Sequence, residues 1–431
     1  MAAVAATALL VAACGGGGET ASTQPTKQTS TKASADTKPK ATATKAPSDS
    51  EQLNTLLTER AYALHSGDEA AFLKTSTGTQ ATRDKRAIAA AKALPLNDVK
   101  MEADGTEIDG DRGTIKVHMA YRFDGIDEWY WKTSRMSVEK TDGGWKVAKD
   151  RPTYGTLAPW EHTRYKARSS KHFLALAPAR MKVGKLMRDL EKGRTTMRRG
   201  LKGVKLPERV LVIVNRNSND TKALTKDYKT LSAVVAIAEA QISTDGPARK
   251  VSDVSGNRVF VLWRSYGNRP PKARQRVIAH ELAHVALVKR TGGRVPVWLS
   301  EGTAMYASGD VNRASDAGAL LSGGVLRDSS KQKPAERALS LTRLAKPSSL
   351  NRMSAVGISF AYSYAAAAAY AIADKYGQGA LLRLHAAFNS EKIKGKPGRK
   401  LTDKVFKKVL KKSLSQVESE VEAYARTKSP F

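Results

Sequence analysis

The spacing of apolar positions changes several times along the chain, and each change predicts an element. Leu53, Leu56, Leu57, Ala61 and Leu64 recur at helical spacing until Gly67-Asp68, and a second helical turn follows around Phe72. Strict alternation then predicts a strand over Thr114–Tyr121. Trp129–Lys140 and Trp145–Ala148 form a predicted hairpin closed by Asp142-Gly143-Gly144. Further on, Val210–Val214 and Arg258–Trp263 read as strands, and the stretches around Met181–Met197 and Leu231–Ile242 as helices. Arg276–Val288 is a helix flanked by apolar residues. Gly292-Gly293 ends it, Pro296 permits the chain to turn back, and Ser300–Ala307 forms a second, antiparallel helix. Phe360–Ala373 is an alanine-rich buried helix, too short and too interrupted by Ser363 and tyrosines to span a bilayer. Val405, Phe406, Val409, Leu410, Leu414, Val417 and Val421 predict a packed helical pair over Leu401–Tyr424.

The chain has 431 residues, enough for two domains with flexible ends, and its 41% hydrophobic content fits a globular protein. One cysteine excludes an internal disulfide framework. The formal charge of +32 raises nucleic acid as a partner, but the basic residues are scattered. No zinc knuckle, helix-turn-helix signature or base-stacking aromatic pattern accompanies them, so no specific nucleic-acid partner is expected. Two readings of the charge remain: attraction to anionic envelope polymers or lipids, and a merely well-solvated basic surface. Residues 15–50 are built of Gly, Thr, Ser, Ala, Lys and Pro and cannot bury enough apolar surface to order themselves, which predicts a tether. The apolar stretch before it ends Leu10-Val11-Ala12-Ala13-Cys14. This resembles the lipobox of bacterial lipoprotein signal peptides, which implies lipidation of Cys14 and an extracytoplasmic, membrane-anchored protein. The departure is the lack of a basic residue before the apolar run, which leaves an ordinary secretory signal open.

The chemistry concentrates at His280-Glu281-Leu282-Ala283-His284. Two histidines four apart on a helix project from one face, one turn apart, as two imidazole ligands of one Zn²⁺ require. Glu281 stands beside the first ligand, where its carboxylate can take a proton from water. Catalytic zinc usually has three protein ligands, and Glu301 lies in the first turn of the returning helix, within Pro296-Val297-Trp298-Leu299-Ser300-Glu301-Gly302.

The pairing of HExxH with a later W-L-x-E-G resembles the gluzincin metallopeptidases, and more closely the peptidase MA-like family. That resemblance implies His280, His284 and Glu301 as zinc ligands and Glu281 as general base. It also implies an edge strand before the HExxH helix, placed here at Arg258–Trp263, that pairs with an extended substrate. Matching Tyr376-Gly377 to the family pattern puts Tyr362 near the metal as an oxyanion donor; the alternative is that Tyr362, Tyr364 and Tyr370 simply pack. His385, on a later amphipathic helix, reads as structural. Thermolysin-like members carry an acid four residues after the third ligand. Here that position is Met305, so support for the ligands must come from elsewhere, with Asp310 or a backbone carbonyl as candidates.

The helix-then-curved-sheet order of the first unit is similar to nuclear transport factor 2-like (cystatin-like) domains. The expected class is therefore α+β: a signal peptide over 1–14, a tether over 15–50, a nuclear transport factor 2-like domain over 51–159, and a mostly helical zincin-type domain with a small edge sheet over 160–431. The expected function is zinc-dependent hydrolysis of peptide or protein substrates at the outer face of a bacterial membrane. The rival is a lipid-anchored ligand- or envelope-binding protein whose zinc site is structural or vestigial.

Overall fold

The computed structural model describes residues 47–153, 157–225, 234–242, 254–291, 294–312, 340–342, 344, 355–390 and 398–427. The expected signal peptide and most of the expected tether, and Gly292-Gly293, lie outside them.

Three helices open the chain: α1 (Asp49–Ser66), α2 (Glu69–Lys74) and α3 (Gly78–Ala91). Ser48 and Glu51 cap α1 reciprocally, and Gly67 ends it at φ 72°, a conformation that disfavours side chains. An antiparallel meander follows: β1 (Leu96–Asp109), β2 (Arg112–Phe123), β3 (Tyr130–Thr141) and β4 (Gly144–Pro152). Irregularities at Ala103/Thr106 in β1 and Ser137/Val138 in β3 shift the register and bend the sheet. The predicted hairpin is present, whereas α3 and β1 were not anticipated, because their apolar positions follow neither period over a long enough stretch.

The short α4 (Pro159–His162) leads into a second sheet of β5 (Tyr165–Ser169), β6 (Phe173–Pro178), β7 (Val210–Asn215), β8 (Ala236–Ile242) and β9 (Val254–Leu262), in the order β5-β6-β7-β9-β8. Strands β6, β7 and β9 run parallel, and β5 and β8 are antiparallel edges. Helices α5 (Gly184–Gly200), α6 (Ser218–Lys222), α7 (Trp263–Tyr266) and α8 (Pro271–Leu287) accompany this sheet. The expected small edge sheet is thus a five-stranded layer whose inner strands β6 and β7, with the Val259–Leu262 part of β9, are buried on both faces. Leu174, Leu176, Leu211, Ile213 and Phe260 point into the core of the first unit. Their neighbours Phe173, Ala175, Val210, Val212, Val259 and Val261 point toward α5 and α8. Burial of both faces explains the unbroken apolar runs.

Two sequence expectations are corrected here. Within Leu231–Ile242, predicted helical, Ala236–Ile242 is strand β8. Alanines give Val234-Val235-Ala236-Ile237-Ala238 a helix-compatible look, but pairing with β9 decides the outcome. The strand expected at the edge, Arg258–Trp263, is instead interior, between β7 and β8, and it ends at Leu262, since Trp263 already begins α7.

Polar contacts join the two sheets. The Gln241 side-chain amide donates to the Trp131 carbonyl (2.9 Å) and accepts from the Trp131 amide (2.6 Å), imitating a strand pairing. Glu128 accepts from the Gly256 amide and from the Asn257 side chain, both at 2.8 Å.

The rest is helical: α9 (Val297–Ser308), α10 (Ala355–Tyr376), α11 (Gly379–Asn389), α12 (Arg399–Val409) and α13 (Leu414–Thr427), sharing one apolar core. The expected C-terminal helical pair is α12 and α13. Overall the protein is mixed α+β, with sheets first and a helical C-terminal part.

A candidate metal centre between two helices

Helix α8 carries the two histidines and α9 the third candidate ligand, Glu301. Both helices are held by close backbone approaches. A Cβ on Gly193 of α5 would meet the Ile278 side chain at 2.6 Å. One on Gly302 of α9 would meet the Ala365 carbonyl oxygen of α10 at 2.2 Å. Only glycine lets α5 and α10 come this near the site helices. Trp298, wholly buried, packs edge-on against Phe406 (5.9 Å between ring centres) and anchors the first turn of α9 in the helical core. The W and the G of the W-L-x-E-G segment therefore set the height and depth of Glu301.

Within this frame His280, Glu281, His284 and Glu301 are all buried. His280 Nε2 and His284 Nε2 are 3.2 Å apart, and Glu301 Oε2 lies 3.3 Å from the first and 3.5 Å from the second. This is a nearly equilateral triangle of ligand atoms. Tetrahedral Zn²⁺ with bonds of about 2.0–2.1 Å sets its ligand atoms about 3.3 Å from one another, so the three residues fit the ion by type and spacing. Glu301 Oε2 is also buried without a hydrogen-bond donor among the described residues, as an oxygen reserved for a cation would be.

The electrostatics agree. Burial pushes the Glu301 carboxyl up, but the neighbouring imidazoles outweigh it and hold it below the usual carboxylate range. Burial pushes His284 down, yet the two carboxylates raise it above an ordinary histidine. The pocket thus favours positive charge among its ligands. Glu281 behaves differently: burial dominates and raises its carboxyl. Its Oε2 accepts a 2.7 Å hydrogen bond from the Ala238 amide. The edge strand that approaches the HExxH helix is therefore β8.

Tyr362 is buried on α10 and lines a small cavity of about 10 Å³ with Trp298, Glu301 and Ala365, close to the volume one water needs. The structure thus brings it onto the same cavity as Glu301. Asp310 is corrected as a ligand support: its carboxylate faces Arg276 at 3.4 Å. The polar neighbours of the site are others. Ser300 Oγ lies 3.4 Å from His284 Nδ1, and His385 Nε2 lies 3.2 Å from Thr303 Oγ1. Sequence reasoning passed over Ser300 and Thr303, although their place beside Glu301 was a signal, and took His385 as structural.

No family model and no curated protein matches the chain. Solved structures similar to it include an M1 zinc metallopeptidase from Deinococcus radiodurans, at 13% identity and a TM-score of 0.30, covering 77% of this chain and 63% of that one. A mutant of a two-domain M1 zinc metallopeptidase bound to L-arginine gives 14% identity and 0.31, covering 76% and 62%. Rv3472, a protein of unknown function from Mycobacterium tuberculosis, gives 14% and 0.21, covering 25% and 72%. The chain spans about three fifths of the length of the two M1 enzymes. Likenesses with scores this low carry no weight for function, which must be judged from the geometry of the site.

Proposed function

We propose that the protein is a zinc-dependent peptidase of the gluzincin type, with His280, His284 and Glu301 as metal ligands and Glu281 as general base. The observation that carries this reading is the 3.2–3.5 Å triangle of buried ligand atoms with a second buried carboxylate, Glu281, beside it. A Zn²⁺ held there supplies Lewis acidity toward a substrate carbonyl and an attacking water. Glu281, raised by burial, takes the proton of that water and passes it to the leaving amine. The Ala238 amide keeps one Glu281 oxygen fixed and leaves the other for the proton. Tyr362 donates from its phenol to the carbonyl oxygen as charge gathers there. Strand β8, as the sheet edge beside Glu281, offers its outer main-chain groups to an extended peptide.

In the same proposal, lipidated Cys14 holds the protein at the outer face of the membrane, and the net positive charge draws it to anionic envelope polymers. A second reading, capture of a ligand by the first unit, is favoured by one observation. A cleft of about 640 Å³ lies among α3, β4 and α4, with Trp160 and the buried Lys132 in its wall.

Metal analysis of the purified protein, then cleavage of a peptide library with and without chelator, separates the two. The peptidase reading expects about one zinc per chain and chelator-sensitive cleavage. Zinc without cleavage leaves the binding reading standing.

A further inference from the structure

Helix α11 sends one polar side chain to the back of α9. His385 is wholly buried among Leu381, Leu384 and Phe388 of the helical core. Its Nε2 lies 3.2 Å from Thr303 Oγ1, and the Leu299 backbone, one turn earlier on α9, is near enough to bear on the ring's charge. Leu299 and Thr303 are one turn apart on α9, and Glu301 sits between them on the opposite side of the helix, about 200° around from Leu299. The ring therefore grips the single turn that presents Glu301 to the histidines. We propose that His385 is a positioning residue for this turn, fixing from behind the segment of α9 that carries Glu301. The inference rests on the zinc reading above.

Three observations separate this from mere packing. The ring is a poor filler: burial penalises it, and Nδ1 has no hydrogen-bond partner among the described residues. A leucine would fill the site without either penalty. Burial holds the imidazole neutral, its pKa lowered to about 3, so with the proton on Nε2 it acts as a fixed donor to α9. Its polar partners, finally, fall on one turn of one helix, the turn of Glu301.

The test measures Zn²⁺ dissociation constants of the full chain by competition with a chromophoric chelator. Wild type, His385→Leu, Thr303→Val, the double variant and His385→Gln are compared, and the visible spectrum of bound Co²⁺ reports ligand geometry. Direct partners of metal ligands are typically worth 10- to 100-fold in affinity; His385 and Thr303 act one step further out, through α9, so each of the first two variants is expected to bind zinc up to about 10-fold more weakly. The Co²⁺ band should shift, and the double variant should lose no more than the worse single. Gln carries a donor at the position of Nε2 and should recover part of the affinity. Unchanged zinc affinity and Co²⁺ spectrum, even with a lowered melting temperature, would overturn the inference and leave the zinc reading intact. Failure of the wild type itself to bind zinc would overturn the zinc reading, and this inference with it. Should His385→Leu not fold, the nearly isosteric Thr303→Val decides alone.

Discussion

Replacing Gly302 by alanine tests whether the approach of α10 to α9 sets the metal centre. The new Cβ would stand 2.2 Å from the Ala365 carbonyl oxygen and 3.1 Å from the Ala369 Cβ. Relief requires α9 and α10 to part by roughly 1 Å or more. The obstacle is backbone in mid-helix, which cannot swing aside as a side-chain tip can. Overpacking of this kind costs about 1–3 kcal/mol, while exchanging a helical glycine for alanine returns about 1 kcal/mol. With the strain near the top of its range, the net loss is about 2 kcal/mol, or a melting temperature lower by about 4–8 °C. Because α9 carries Glu301, the same displacement opens the triangle of 3.2–3.5 Å contacts and weakens zinc binding. Thermal unfolding of chelator-treated protein and a zinc titration measure both effects. Gly184→Ala is the control: its Cβ meets nothing within 4 Å at the start of α5, so stability should hold or rise slightly. A Gly302→Ala protein as stable as wild type and equally tight for zinc would refute the reasoning.

Other perturbations follow from the same structure. Lys132, buried on β3, is held by Asp150 at 2.8 Å and Glu161 at 2.6 Å. Lys132→Met strands two shielded carboxylates and should cost about 3–5 kcal/mol in urea unfolding. An unfolded histidine takes up a proton near pH 6.5, whereas buried His385 stays neutral down to about pH 3. Its share of stability is full above pH 6.5 and is lost at about 1.4 kcal/mol per unit as pH falls below that value. Chelator-treated wild type should therefore lose stability from pH 6.5 to 5 more steeply than His385→Gln by that amount; equal slopes would mean the ring is not held neutral. Tyr362→Phe should lower kcat about 100-fold with zinc affinity unchanged, as loss of an oxyanion donor does. Unchanged kcat would assign Tyr362 to packing.

The site was more legible in the sequence than the fold around it. His280 and His284 needed only helical spacing to come together, and the Pro296 turn was enough to return Glu301 to them. The strands were harder. The described part of β8 reads as helix because its alanines suit either state, and only its partner β9 decides. That Arg258–Leu262 is interior depends on which strand flanks it, information held far away in the sequence. The partners of the site were hidden for the same reason. Nothing local tells that His385, more than eighty residues beyond Glu301, meets the back of α9, or that Asp310 turns to Arg276.

The central claim is that Glu281 acts on water beside a metal that it does not itself hold. The most direct measurement compares wild type and Glu281→Gln for zinc content and for cleavage of the same peptide library. The account predicts about one zinc per chain in both proteins, with chelator-sensitive cleavage in the wild type alone. Full cleavage by Glu281→Gln, or its loss of zinc, would contradict it.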